Sequence, residues 1–306
     1  MYIIEQIRTK LIIVDSGLLY LASIPATLRH LRLVWRAIKL YKERFGVRLN
    51  WRQPTRFSEK LLMFKISTAA EAMTRYADKY EVRSYVEKTI GAKYLIPVLG
   101  VYESVAEIDT ATLPSAFVLK ATHGSDWNII CPDKSRLDWE EAQKKLQKWL
   151  QTNFYSAFFA ERQYRTMKPR IICEEYLPTP NGLIDYKFHC FRGKPVFIRA
   201  MRDRSTDIKK STYDLNWKRV PVKYLKGPGQ DAYPDVNLPR PGNLQEMIEV
   251  ATKLSARFPY VRVDLYNLNG KVYFGELTFT PNAGLDIFEP DSYDFAYGAL
   301  FDLPEH

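Results

Sequence analysis

Residues 261–284, VRVDLYNLNGKVYFGELTFTPNAG, hold the plainest apolar–polar alternation in the chain. Val261, Val263 and Leu265 alternate with Arg262, Asp264 and Tyr266, the period of two expected of a half-buried strand. Asn269-Gly270 follows, a dipeptide that suits a two-residue hairpin turn because both positions tolerate positive φ. The return strand sets Val272, Phe274 and Glu276 on one side of its pleat. In a regular hairpin about this turn, Asp264 and Glu276 come to neighbouring positions and two carboxylates converge. Such a pair suits a hard divalent cation such as Mg²⁺, which takes oxygen ligands and shares them with substrate phosphates. The alternation alone fits an edge hairpin with two unrelated solvated acids equally well.

Elsewhere the pattern predicts helices first and antiparallel hairpins later, an α+β order. Residues 1–26 contain an apolar run, 11–25, behind Arg8 and Lys10. A signal peptide would look similar, but Glu5 and Asp15 spoil it and the run is too short to span a bilayer. An amphipathic helix is the better reading. A second helix over 27–45 places Leu31, Val34, Trp35, Ile38 and Tyr41 on one face, ringed by Arg29, Arg32, Arg36, Lys39, Lys42 and Arg44. It either packs on the domain with solvated charges or lies on an anionic membrane surface.

Past a break at 50–54, one helix opens at Ser58-Glu59-Lys60 and another covers 71–89, ended by Gly91. Residues 94–102 read as a short strand and 117–120 as a buried one that runs into the small-residue loop ATHGS, 121–125. A glycine there lets backbone N–H groups approach a phosphate closely. One glycine is no fingerprint, and neither GxxxxGK[ST] nor GxGxxG occurs anywhere. Residues 139–154 form a helix, and 170–173 form a strand continued by EEYL and a Pro/Asn/Gly loop. A second hairpin spans 185–191 and 195–200 about Arg192-Gly193, with a basic, mobile loop over 202–210. The Pro- and Gly-rich stretch 218–242 is long enough to serve as a lid. Helix 244–258 leads into the first hairpin.

Composition narrows the class. A chain of 306 residues is long enough for two or three packed layers or lobes, and 46% hydrophobic content is ordinary for a soluble globular protein. Its net charge of +10 calls for an anionic partner: a nucleotide, an acidic polymer, nucleic acid or a membrane surface. Nucleic acid is disfavoured, because aromatic and basic residues form no RNP-type or helix-turn-helix pattern. Cys131, Cys173 and Cys190 are odd in number and dispersed, and His30, His123, His189 and His306 lack metal-ligand spacing. A disulfide framework and a zinc site are therefore not indicated, and a reducing cytoplasm fits best.

Five segments in order are ADKY (77–80), LKATHGS (119–125), DYKF (185–188), VRVDLY (261–266) and FGELT (274–278). Together they resemble the TupA-like ATP-grasp family, associated with bacterial cell-surface polysaccharides, over about residues 45–303. The resemblance implies two α+β lobes holding ATP between antiparallel sheets, preceded by N-terminal helices. The expected divisions are a helical segment 1–56, a helical region with the small lobe 57–175, and the large lobe 176–306. Lys79 and Lys120 would hold the phosphates, with the loop bearing His123, Gly124 and Ser125 closing over them. Glu174, Glu175, Tyr176 and Leu177 would form the adenine hinge, Asp185 would contact the ribose, and Lys187 lies beside it. Asp264 and Glu276 match the magnesium ligands. Arg262 would face an acyl phosphate, and Lys187 joins it as a catalytic candidate.

One departure matters. Many ATP-grasp ligases carry Asn where this chain has Thr278, a poorer ligand, so Asn282 either assists or is simply a turn residue after Pro281. His123 reads as a loop contact to phosphate or as a base, and Cys190 as plain core. The implied chemistry is stepwise. A carboxylate attacks the γ-phosphate of ATP, and an amine displaces phosphate from the acyl phosphate. By resemblance the carboxylate belongs to a uronic acid and the amine to an amino acid. The rival classes are a glycosyltransferase or kinase of polysaccharide assembly and a non-catalytic nucleotide-binding protein. Peripheral contact with the inner membrane surface through the basic helices completes the expectations.

Overall fold

A computed structural model describes residues 26–157, 160–179, 183–202 and 208–304. The expected helix within 1–26, part of the Pro/Asn/Gly loop and most of the basic loop 202–210 lie outside the described residues. Among the described residues no helix is long and apolar enough to cross a membrane.

Helix α1, Ala26–Phe45, forms as the pattern predicts, but it docks through a different stripe. Leu33, Ala37 and Tyr41, spaced by four, are buried: Ala37 and Tyr41 against Leu49 and Leu62, and Leu33 against Tyr155 and Ala160, while the Tyr41 hydroxyl lies 3.1 Å from Ser58 Oγ. Leu31 and Trp35, which the pattern sets on the same apolar face as Tyr41, are 51% and 68% exposed. The helix carries two adjacent apolar stripes, and the surface it meets selects one.

Helix α2, Phe57–Ile66, and helix α3, Val82–Ile90, bracket two single turns, Thr68–Glu71 and Thr74–Ala77. The continuous helix expected over 71–89 breaks at Asp78. Its carboxylate accepts from the N–H groups of Tyr80 and Glu81 at 2.8 and 3.0 Å, the local bonding by which Asp competes with a helix interior. These helices were expected to group with the small lobe. Instead Phe57, Leu61, Phe64, Ala70, Val82, Val86 and Tyr94 share one core cluster with Val263 and Leu265 of the large sheet.

The small lobe is a four-stranded antiparallel sheet of β1, Val98–Tyr102, β2, Phe117–Ala121, β3, Asn128–Cys131, and β4, Ile171–Glu175, in the order β1-β4-β2-β3. Its core packs Phe117, Leu119, Ala121, Ile171 and Cys173 against Trp127 and Leu146, the latter from helix α4, Trp139–Gln151.

The large lobe holds a five-stranded antiparallel sheet. Its strands are β5, Asp185–Phe191, β6, Lys194–Arg202, β7, Lys209–Tyr213, β9, Tyr260–Leu268, and β10, Lys271–Thr278, in the order β10-β9-β5-β6-β7. Every residue of β5 is buried, so both faces are covered. One face is apolar, with Tyr186, Phe188, Val263 and Leu265 in register, and helix α5, Leu244–Ser255, packs on it. The other face starts apolar at Phe191, Tyr260 and Phe197, under Phe57 and the aromatic residues of helix α6, Ser292–Leu300. It then becomes charged along the strands. A two-stranded ribbon of β8, Lys223–Leu225, and β11, Ile287–Glu289, completes the lobe.

Candidate active site

A register slip builds the acidic pair. Pairing starts with Lys271 opposite Leu268 and stays regular through Phe274 opposite Leu265. Continued without interruption, it would set Glu276 opposite Val263, on the core face. A bulge at Gly275 shifts the ladder by one, so Glu276 opposes Asp264 and Leu277 opposes Val263. Leu277, not Glu276, therefore joins Val272 and Phe274 inside, which corrects the reading of the return strand. A Cβ on residue 275 would stand 3.1 Å from the Asp264 carbonyl and 3.2 Å from the Tyr266 ring, so the bulge favours glycine.

On this face Asp264 also opposes Lys187 of β5, and Arg262 opposes His189. The charges are tightly interlocked. Asp264, 2% exposed, accepts from Arg262 Nε at 2.6 Å and Nη2 at 2.7 Å, and from the Lys187 ammonium. Arg262 Nη2 reaches on to Glu276 Oε1 at 3.1 Å and Thr278 Oγ1 at 3.0 Å, while Thr278 donates to Glu276 at 2.8 Å. Asp185 lies 3.5 Å from Lys187 Nζ. Burial works to raise the Glu276 pKa, but the charges of Lys79, Arg262 and Lys187 win and hold the carboxyl well below its usual range. Burial likewise opposes the Arg262 charge, and Asp264 and then Glu276 outweigh it.

The helical region and the small lobe contribute cations across a cleft whose lining includes Lys79, Lys120, Ser125, Glu174, Asp264 and Glu276. Lys120, near the end of β2, pairs with Glu174 Oε2 at 2.7 Å, and Arg83 Nη1 meets the other oxygen at 3.1 Å. Lys79 follows the Asp78 break, donates its ammonium to the Gly124 carbonyl, and joins the loop again through its N–H to Thr122 O at 3.3 Å. Burial lowers the Lys79 pKa, with Glu276 opposing and Lys120 adding to the shift. A Cβ at residue 124 would meet Trp127 at 2.6 Å and Phe154 at 2.9 Å, so only glycine fits there. Glu175, exposed, ends β4, and half-buried Tyr176 and Leu177 follow it between the lobes.

Two expected site residues face elsewhere. His123 is buried in the small lobe, with Nε2 2.9 Å from Trp149 O and its ring edge-on to Trp127. Burial lowers its pKa. The Asn282 amide donates to Asp286 Oδ1 at 3.1 Å, on a turn residue with φ of 48°, rather than to the acidic pair. Arg83 and Tyr266, both in the cleft lining, were missed. Arg83 belongs to no motif, and Tyr266 reads as one more alternating position.

The residues present fit a magnesium ion. The donors are oxygen only: Asp264, Glu276 and the Thr278 hydroxyl. Among the described residues no three His, Cys, Asp or Glu side chains gather as a metal cage. Two carboxylates completed by phosphate and water are what magnesium ordinarily takes.

The model of the family described as TupA-like ATPgrasp matches residues 59–302. The chain belongs to this family. Its α+β lobes, with the cleft between antiparallel sheets, are the ATP-grasp fold. No curated protein matches the chain. Among solved structures, the L-amino acid ligase of Bacillus licheniformis is similar at 15% identity and a TM-score of 0.48, over 82% of this chain and 58% of that one. The D-alanine–D-alanine ligase of Bacillus anthracis, complexed with ATP, is similar at 13% identity and a TM-score of 0.41, over 67% of this chain and 55% of that one. The TupA-like chain thus spans little more than half the length of these two structures.

Proposed function

We propose that this TupA-like ATP-grasp protein is an ATP-dependent carboxylate–amine ligase. The observation that carries the reading is the hairpin bearing Arg262, Asp264, Glu276 and Thr278 directly across the cleft from Lys79 and Lys120. Phosphoryl transfer asks for positioning and for neutralisation of charge, with little covalent help from the protein. Lys79 and Lys120 hold ATP phosphates, and 174–177 takes the adenine with Asp185 near the ribose. Asp264, Glu276 and Thr278 would hold Mg²⁺, which when bound neutralises charge on the transferring phosphoryl group. Arg262, kept charged by its neighbours, steadies the acyl phosphate as the amine attacks, and Lys187 adds a second cation beside it.

For substrates we propose a uronic acid carboxylate of a surface polysaccharide or its precursor, with an amino acid as amine. The excess of +10 and the family resemblance support this reading. The same reading places the protein in the cytoplasm. There the exposed Leu31 and Trp35, flanked by Arg32, Arg36 and Lys39, offer a contact to the inner membrane face.

The test is product analysis over pairs of uronic acids and amino acids. A ligase releases ADP and phosphate with an equal amount of amide, and hydroxylamine traps its acyl phosphate as a hydroxamate. Phosphate retained on the acceptor would identify a kinase instead. Consumption of a nucleotide sugar without ATP would identify a glycosyltransferase.

A further inference from the structure

The charged face of the large sheet does not end at the acidic pair. Lys187 opposes Arg199 on β6, and Arg199 opposes Thr212 on β7. Lys210, two residues before Thr212, therefore points to the same face. Arg199 is 3% exposed, and its Nη1 donates to Asp286 at 2.7 Å while its buried Nε has no hydrogen-bond partner.

Arg44 comes in from the last turn of α1 and donates to the carbonyls of Leu285, Lys226 and Leu225 at 3.0, 2.9 and 3.3 Å. Lys210 has no carboxylate partner among the described residues. Its ammonium sits 3.4 Å from the centre of the Tyr233 ring, and the Arg199 guanidinium lies 4.8 Å from that of Tyr224. Burial draws the Lys210 pKa down to about 7, with Asp286 opposing and Arg199, Arg44 and Lys187 adding to the fall. Three cations thus face one carboxylate, Asp286, in a half-buried setting, where an uncompensated charge is costly.

We propose that Arg199, Lys210 and Arg44 form a second anion subsite, which anchors an acidic group of the substrate apart from the carboxylate that reacts. Two inter-strand steps of about 4.8 Å separate Asp264 from Arg199, so the anchored group lies roughly 10 Å from the acidic pair. The inference rests on the ligase reading and narrows its substrate to a molecule with two anionic groups, longer than a single amino acid. A uronic acid that also carries phosphate satisfies this, and so does a uronate with an acidic neighbour in a polymer. Both present an oxyanion that an arginine fork and a lysine point charge can hold.

The experiment measures calorimetric affinities of D-glucuronate, UDP-glucuronate and di-galacturonate for the full chain and for Lys210→Met, with a non-hydrolysable ATP analogue titrated in parallel. Methionine keeps the apolar contact with Tyr233 and removes the charge. The expected result is that at least one dianion binds roughly tenfold or more tighter than glucuronate. Lys210→Met is expected to abolish that advantage and to keep the analogue's affinity within about twofold. Advantage for UDP-glucuronate alone assigns phosphate as the anchored group, and for di-galacturonate alone a second uronate. Dianions no tighter than glucuronate, or an advantage that survives in Lys210→Met, overturns the proposal. Should that variant not fold, acetylation of Lys210 in the unaltered protein replaces it. Protection by a dianion beyond that by glucuronate supports the subsite, and equal protection overturns it. Failure of the unaltered protein to bind the ATP analogue counts against the ligase reading alone, since the dianion comparison does not depend on it.

Discussion

The four-stranded and five-stranded sheets are both antiparallel, yet they handle charge differently. In the small lobe β2 alternates buried Phe117, Leu119 and Ala121 with half-buried Val118 and Lys120, and its cation projects from a strand end into the cleft. In the large lobe Asp185, Lys187, Arg199, Arg262 and Asp264 are buried within the body of the sheet. Their cost is met by pairing, because a buried ion without a partner loses several kcal/mol. The small sheet is an ordinary platform with adjustable cations at its rim. The large sheet is a pre-assembled electrostatic device, and removing one member exposes the rest.

The sharpest way to break this contrast is Glu276→Gln. Metal-assisted charge stabilisation is worth several kcal/mol, so ADP release should fall by about two orders of magnitude or more. The fold, followed by circular dichroism, should stay intact. Turnover that survives would move the metal away from β10. Lys120→Ala tests the other sheet. A charge-assisted contact contributes about 1.5–3 kcal/mol, so ATP affinity should weaken roughly 10- to 150-fold. Lys144→Ala, on the exposed face of α4, should leave it unchanged by calorimetry.

Asp286→Asn sharpens the energetic side, since it strands the buried Arg199. Breaking such a pair costs about 3–5 kcal/mol, a fall in Tm of roughly 10 °C. The pH dependence follows from the same carboxyl. Burial raises its pKa, but Arg199 and Lys210 prevail and lower it. Its stabilisation is therefore full above the unfolded-state value of about 4 and is lost as pH falls through the folded value. Melting curves below about pH 4 should drop more steeply for the unaltered protein than for Asp286→Asn. Trp35→Ser lies outside both sheets and should shift stability by less than about 0.5 kcal/mol. Tyr41→Ala on the buried stripe of the same helix should cost about 3 kcal/mol, as loss of a buried aromatic does.

Much of this was legible in the chain. Alternation and Asn269-Gly270 place the hairpin, and Lys79, Lys120, Ser125, Asp264 and Glu276 of the short segments line the cleft. What was not legible depends on contacts. The bulge at Gly275 leaves no mark in the alternation until the partner strand is known, and it decides which side Glu276 faces. The docked stripe of α1 depends on Leu62, whose position only the fold supplies. His123 sits in the right loop, but the Trp149 carbonyl turns its ring inward. The Arg199–Asp286 pair joins residues 87 apart in sequence, and neither belongs to a recognisable motif.

Helix α2 is fastened to α6 by contacts that span most of the chain. Ser58 N–H and Oγ bond Asp294, Lys60 bonds the carbonyls of Gly298 and Phe301, and a Cβ on Gly298 would strike Thr55 O at 2.1 Å. During synthesis, then, Phe57, Leu61 and Phe64 emerge early, and the α6 part of the surface that buries them follows more than 230 residues later. The core of the large lobe is complete only once α6 has been made, and until then part of this helix's apolar face stands open to chaperones and to aggregation.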